Sequence, residues 1–306
     1  MMVDHSDWRV GVASAPVHHG EILQGVFTGE GGLTRGLVTL PCTIHTTRAT
    51  FIPAPGPEVT VSPEWKGKAR RAAELAVRAV TPPDAGPWGG HLELTGDVPL
   101  CRGFGSSTSD VLAAIWAVKD AFVSPLPPQE VARLAVRAET ASDSLMFEES
   151  TVLFAQREGA VIEDFGYRMP PVRVLGFGSR PEGGGRGVDT LAFAPASYGQ
   201  EEIDLFARLR DMLREAIQMK DVALLGSVAT ASTEINQRHL PIPGLDRIRD
   251  IARTSGALGV QAAHSGDIAG LLFDRDDPDV DARAALAQRL LQEIGIDEQW
   301  NYTTGD

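Results

Sequence analysis

The chain has 306 residues, 43% of them hydrophobic and 23% charged, with a formal net charge of −13 at pH 7. That length suits two cores, and the composition is that of an ordinary globular protein. The acidity argues against nucleic acid and anionic membranes as partners, since both need a clustered positive surface. Two cysteines, Cys42 and Cys101, lie far apart without a CxxC pattern. They support neither a disulfide framework nor a zinc site, and they suit a reducing cytoplasmic compartment. The opening "MMVDHSDWRV" has no apolar segment, so no secretory leader is expected. No run approaches the roughly 20 apolar residues of a membrane span.

In chain order, "RVGVAS" at 9–14 alternates like a strand, and "GLTRGLVTLP" and "IHTTRATFIP" read as two extended segments separated by Pro41. Ala69, Ala72, Ala73, Ala76 and Val80 recur at helical spacing over 68–80, ahead of Pro82-Pro83. "GGHLELTGDVPL" is a strand leading into a glycine-rich loop, followed by a helix over roughly 108–122 that Pro125, Pro127 and Pro128 break. A second helix carries Val131, Leu134 and Ala135 on one face, and "STVLF", "GAVIEDFG" and "PPVRVLGFG" read as strands. A domain boundary is placed near 168–170, giving an N-terminal domain over 1–168 and a C-terminal one over 169–306. "GSRPEGGGRG" at 178–187 is a flexible loop by composition. Beyond it Ile203, Phe206, Leu209, Leu213 and Ile217 make the buried stripe of an amphipathic helix. Helices follow at 221–237 and 244–255, then two short strands around His264-Ser265-Gly266-Asp267, and a last helix over 279–294. Strands and helices mix in both halves, so the class is α/β or α+β.

The stretch "PLCRGFGSSTSD" at 99–110 carries the chemistry. Gly103 and Gly105 let the backbone aim its N–H groups at an anion, the serines add hydroxyl donors, and the following helix adds its positive end. An ordinary glycine turn capped by serine would use the same residues. A P-loop is excluded because no lysine follows the glycines. A dinucleotide fingerprint fails because Thr108 stands at the third glycine position.

With Pro99, Gly103, Gly105, Ser106 and Ser107 in a PxxxGxGSS pattern, the stretch resembles the phosphate loop of the GHMP kinases. "APVHHGEILQG" at 15–25 resembles that family's first motif, and "GALGVQAAHSGDIAGLLF" at 256–273 stands in the place of its third. Ala15, Pro16, Gly20, Glu21, Gln24, Gly25, "SSTSD", "ETASDSLMF", "VDTLAF" at 188–193 and "NQRHLPIPGL" are most similar to the L-threonine kinase branch. His18-His19 depart from the Ser-Cys usual in that branch, and Arg102 stands where lysine is common. Lacking Cys, Asp or His neighbours at ligand spacing, the two histidines do not read as a metal pair.

The resemblance implies an α+β, two-domain GHMP kinase fold, with a ribosomal protein S5 domain 2-like N-terminal lobe and a ferredoxin-like C-terminal lobe. It implies ATP-dependent phosphorylation of a hydroxy amino acid, L-threonine first, with homoserine as the alternative. Less favoured are a diphosphomevalonate-decarboxylase-like enzyme and a non-catalytic ATP sensor. Pro99, Arg102, Gly103, Phe104, Gly105, Ser106, Ser107 and Thr108 are then the ATP-binding residues, and Ser107 with Glu139 the Mg2+ ligands. Asp143 matches the carboxylate that deprotonates the acceptor in galactokinase and mevalonate kinase, although homoserine kinase works without one. An orienting role or a helix-end cap are its other uses. On a continuing helix, Glu139 and Asp143 would share one face. Glu21 is expected to meet a substrate ammonium, with Gln24, Asn236, Gln237 and Ser265 as further substrate contacts, and His264 is expected to hydrogen-bond beside a tight turn. A cytoplasmic enzyme with a small-molecule partner follows, compatible with a homodimer.

Overall fold

The computed structural model describes residues 8–29, 32–82, 84, 86–100, 102–179 and 197–305. Cys101, the first seven residues, the glycine-rich stretch from 180 onward and the "VDTLAF" match lie outside them. Among the described residues, no helix is long and apolar enough to cross a membrane.

Among the described residues the frame is one ten-stranded sheet, and two long strands dominate it. Strand β1 (Gly11–Gly29) and β2 (Gly32–Pro55) pair antiparallel along their length. The sheet then runs through β3 (Val59–Ser62), β4 (Trp88–Gly96), β5 (Val152–Ala155), β6 (Ala160–Asp164), β7 (Val172–Gly178), β8 (Gly259–Ala262), β9 (Ile268–Asp274) and β10 (Gln299–Thr303). Its order is β10-β7-β9-β8-β1-β2-β4-β3, with β5 and β6 branching from β2. The two segments expected around Pro41 are one strand element with a break in register. Pro16 faces Thr46 while Val17 already faces Cys42, so residues 43–45 bulge out just after the proline, which has no N–H for the ladder.

Seven helices cover the sheet among the described residues: α1 (Gly67–Val80), α2 (Ser106–Ala121), α3 (Pro128–Glu139), α4 (Gln200–Met219), α5 (Val222–Asn236), α6 (Leu245–Ser255) and α7 (Val280–Glu293). They enclose three cores. The first packs α1–α3 on the start of β1, on β2 and on β4, with Phe51, Leu92, Leu112 and Phe154 at its centre. The second packs α4 and α5 on the middle of β1 and β2 and reaches Phe104 of the glycine loop. The third packs α6 and α7 on β7–β9. A cut at 168–169 passes between β6 and β7, and the second core draws residues from both sides of it.

Close approach explains two motif glycines. A Cβ on Gly25 would lie 2.4 Å from the Phe206 ring, so glycine lets α4 lie on β1. Gly20 has φ +69°, and a Cβ there would lie 2.6 Å from Ala263 backbone atoms. That contact brings the first motif onto the third.

Candidate active site

Helix α2 begins where the loop ends. Gly103 has φ 104° and Gly105 φ 67°, conformations that strain any residue with a Cβ. Gly105 is the N-cap, and among the described residues no side chain caps the helix. The first helical amide to find an intrahelical partner is Ser109 N–H, which donates to Gly105 C=O at 2.9 Å. The N–H groups of Ser106, Ser107 and Thr108 therefore form the open positive end of a 16-residue dipole, the physical requirement for holding an anion. The rest of α2 is apolar almost all round and buried from Val111 to Ile115, so the cradle stands on a fixed post.

Two carboxylates face the cradle, though not by the route expected. Helix α3 stops at Glu139, because Thr140 turns to φ 78°. Asp143 lies in the irregular segment beyond, so no continuing helix aligns the pair. Thr108 does so instead. Its hydroxyl lies 2.9 Å from Glu139 Oε1 and 3.0 Å from Asp143 Oδ2, while Ser107 Oγ donates to Glu139 Oε2 at 2.5 Å. Thr108 has one proton for two acceptors, which leaves the cluster short of positive charge. Burial accordingly raises the Glu139 pKa to about 7 against the Ser107 hydrogen bond, and nearby Asp143 raises it further.

Asp143 takes its compensation from His18, whose Nε2 lies 3.0 Å from Asp143 Oδ2. Gly20 N–H donates to His18 Nδ1 at 3.0 Å, which leaves Nε2 as the nitrogen carrying the proton toward Asp143. A second proton on Nδ1 would face Glu21 Oε1, 3.9 Å away. Burial disfavours the imidazolium, but Asp143 and Glu21 outweigh it and raise the His18 pKa to about 9. Burial also opposes ionisation of Asp143, yet His18 and Thr108 hold it below the ordinary carboxylate range. The sequence marked His18 only as a departure from a pattern. Its partner lies 125 residues further on and no local signal connects them.

Several expected site residues are engaged elsewhere. Glu21, expected to meet an ammonium, is buried and accepts from His264 N–H at 3.0 Å and from the His264 ring at 2.8 Å. Asn236 Nδ2 donates to Gln24 C=O and Ser232 C=O and its Oδ1 accepts from Tyr198, so its side chain ties α5 to β1. Gln237 bonds Thr233 C=O and Ile242 N–H. Ser265 lies on the 263–267 turn, half-buried. Two loop residues expected among the ATP contacts turn their side chains away from the cradle. Arg102 pairs with Asp267 and Glu298. Phe104 is buried between His19, His45 and Trp300, a burial worth roughly 1.5–3 kcal/mol in anchoring the loop.

A cavity of about 400 Å³ opens beside the loop, lined by Pro63, Trp65, Thr95, Val98 and Leu100 and floored by the Lys66–Asp110 ion pair. Sequence reading did not find it, because its walls come from four separate segments. A larger cavity of about 590 Å³ includes Trp116, Val123 and Met146. It lies toward the opposite end of α2, whose 16 residues span roughly 24 Å, so volume alone would misplace the site.

His19 is the complement of His18. On the opposite face of β1, it sits among Phe104, Trp300 and Tyr302 with Nδ1 2.9 Å from Gln261 Oε1. Burial pushes its pKa down to about 4, against the Gln261 hydrogen bond. The unfolded chain binds that proton first, near pH 6.5, so this imidazole withdraws stability as pH falls from about 6.5 to about 4, by on the order of 3 kcal/mol. Glu139 acts in the opposite sense between its unfolded value and about 7. The difference between wild type and His19→Phe isolates the effect. In urea unfolding at pH 7, 6, 5 and 4, the variant's stability relative to wild type should improve steadily toward acid. A constant difference would show that His19 is not held neutral.

An uncapped helix start facing a hydroxyl-bridged carboxylate pair belongs with phosphoryl-transfer chemistry, and comparisons agree. The family profile for the GHMP kinase N-terminal domain matches residues 68–147, and that for the C-terminal domain matches 213–291. The chain belongs to the GHMP kinases and is an ATP-dependent kinase. L-threonine kinase of Salmonella typhimurium is 25% identical over 280 residues, 89% of this chain and 86% of that one. Homoserine kinase of Lactococcus lactis is 26% identical over 194 residues, 61% of this chain and 63% of that one. Among solved structures, homoserine kinase from Cytophaga hutchinsonii superposes with a TM-score of 0.66 at 15% identity, over 99% of this chain and 96% of that one. Mevalonate kinase of L. major in complex with R-mevalonate gives 0.55 at 16% identity, covering 99% and 98%. The fold is thus the α+β two-domain GHMP kinase fold.

Proposed function

We propose that the protein transfers the terminal phosphoryl group of ATP to the side-chain hydroxyl of a small amino acid, with L-threonine the leading acceptor. The observation that carries the reading is the meeting of Ser107, Thr108, Glu139 and Asp143 at the uncapped start of α2. The long likeness to L-threonine kinases supports the acceptor class.

In this reading the amides of 103–108 hold the phosphates, and the cavity beside Trp65, Val98 and Leu100 takes the purine. Magnesium fits the donor set, which is all oxygen and includes a buried carboxylate that a divalent cation would relieve. Ser107 and Glu139 would hold it. When bound, it supplies charge neutralisation for the polyphosphate. Asp143 takes the acceptor's hydroxyl proton as that oxygen attacks the terminal phosphorus, and the bond to the β-phosphate oxygen breaks to leave ADP. His18 keeps Asp143 ionised and aimed. Glu21 serves this site by orienting His264 and facing His18, and Ser265 is kept as the acceptor-side contact on the 263–267 turn.

A second reading, homoserine as acceptor, rests on the homoserine kinases among the relatives. An ADP-release assay over L-threonine, D-threonine, L-serine and L-homoserine separates the two by kcat/KM. The highest value for L-threonine is expected. A tenfold preference for L-homoserine reverses the order. Carbon dioxide and phosphate from a phosphorylated acid, or ATP binding with no turnover of any acceptor, removes the kinase reading.

A further inference from the structure

We propose that Arg102 is a positioning residue that staples the phosphate loop to the 263–267 turn and to Glu298, setting the affinity for ATP without touching it. Arg102 Nε donates to Asp267 Oδ1 at 2.7 Å, while Nη1 and Nη2 donate to Glu298 Oε1 and Oε2 at 2.9 and 2.5 Å. The guanidinium thus spends its planar fork on one carboxylate and its remaining donor on another, facing away from the cradle.

The main chain repeats the connection. Asp267 N–H donates to Arg102 C=O at 2.9 Å, and Gly178 N–H donates to Glu298 C=O at 3.1 Å. The fit leaves no slack. A Cβ on Gly266 would lie 2.2 Å from Arg102 C=O, and one on Gly178 would lie 2.7 Å from Arg102 Nη2. Two segments, 165 and 196 residues further along the chain, are therefore joined to Arg102 one residue before the cradle begins, and Gly178 of β7 is tied to the second of them.

The energetic logic is preorganisation. Gly103 and Gly105 give the cradle its shape and also its freedom, since glycine has the most backbone entropy to lose. Fixing the residue before Gly103 removes part of that freedom before ATP arrives, so binding has less to order. Lysine can replace the charge but not the fork, because an ammonium cannot hold Glu298 by two parallel bonds and Asp267 at once. The pairs are partly exposed, at 24% for the Arg102 side chain and 42% for Glu298, so solvent screening keeps the effect moderate.

This proposal rests on reading 103–108 as the ATP cradle, and the experiment tests the two separately. Calorimetry with ATP and steady-state kinetics are run on wild type, Arg102→Lys, Arg102→Gln, Glu298→Gln and the double variant Arg102→Gln/Glu298→Gln, each checked by thermal melting. For Arg102→Gln and for Glu298→Gln alike, ATP is expected to bind about 5- to 10-fold more weakly, with kcat within about twofold. The double variant is expected to be no worse than the weaker single one, and Arg102→Lys intermediate. A merely structural role would lower the melting temperature without splitting KM from kcat. If Glu298→Gln binds ATP as well as wild type or better while Arg102→Gln loses affinity, the guanidinium contacts phosphate itself and the staple is overturned. Unchanged affinity in all variants overturns it too. Wild type that binds no ATP overturns the cradle reading, and the staple with it, before any substitution is compared.

Discussion

Asp143→Asn is expected to lower kcat by at least about 10²-fold while leaving ATP affinity within about twofold, the lower end of what a positioned acid or base contributes. Asparagine keeps the shape of the side chain. Its carbonyl can still accept from Thr108, and the side chain still sits against His18 Nε2, which now lies 3.0 Å from Asp143 Oδ2. What it loses is the capacity to take a proton. His18 and Thr108 hold the Asp143 pKa below the ordinary carboxylate range, which makes it a weak base in the ground state. Its usefulness is that it is already ionised at neutral pH although largely buried, and that the acceptor's proton becomes acidic only as the new bond to phosphorus forms. Single-turnover measurement of phosphoryl transfer is the direct check. A rate within a few fold of wild type would reduce Asp143 to orienting the substrate.

Gly105→Ala is expected to weaken ATP binding at least about tenfold. The added methyl would sit 2.1 Å from His18 Cδ2 and 2.2 Å from Nε2, and 3.3 Å from Asp143 Oδ2. His18 cannot retreat, because its Nδ1 is fixed by Gly20 N–H and its N–H by Phe104 C=O. The loop must give instead, and the amides of 106–108 lose their common aim. A left-handed backbone alone costs about 1–2 kcal/mol with a Cβ. Gly166→Ala supplies the control, since Gly166 has φ +77° with nothing within 4 Å of the new methyl. Both variants carry the backbone strain, and the clash belongs to one. Equal ATP affinity in the two, measured by calorimetry, would show that His18 does not press on the cradle.

What was legible in the sequence was local. Helix α3 buries Val131, Leu134 and Ala135 on one face as read, and α1 and α7 fall within a residue of their expected limits, because helical spacing and proline stops act over a few residues. The α4 stripe is buried at Phe206, Leu209, Leu213 and Ile217 as the periodicity requires, with Ile203 partly open at the first turn. Strands β3 and β10 escaped notice because their existence depends on partners, β4 for one and β7 for the other. The loop was legible for the same reason as the helices, since Gly103, Gly105 and the serines carry its conformation within six residues. The company it keeps was not. Asp143 was tied to Glu139 by a helix that ends too soon, and Thr108 was not recognised as the bridge. His18 and Glu298 were missed as the partners of Asp143 and Arg102, since tertiary packing alone sets those pairs.

Neighbouring histidines on β1 have a consequence for how this strand tolerates insertion. Because side chains alternate between faces, one residue inserted between Gly11 and His18 would carry His18 into the place of His19, and His19 onto the face that His18 leaves. The ring that now faces Asp143 would enter the aromatic cluster, and the ring that burial keeps uncharged would turn to the carboxylate face. Misalignment would therefore be punished twice, once in folding and once in turnover, and a single-residue insertion library across this segment should contain no survivors that are folded but merely slow.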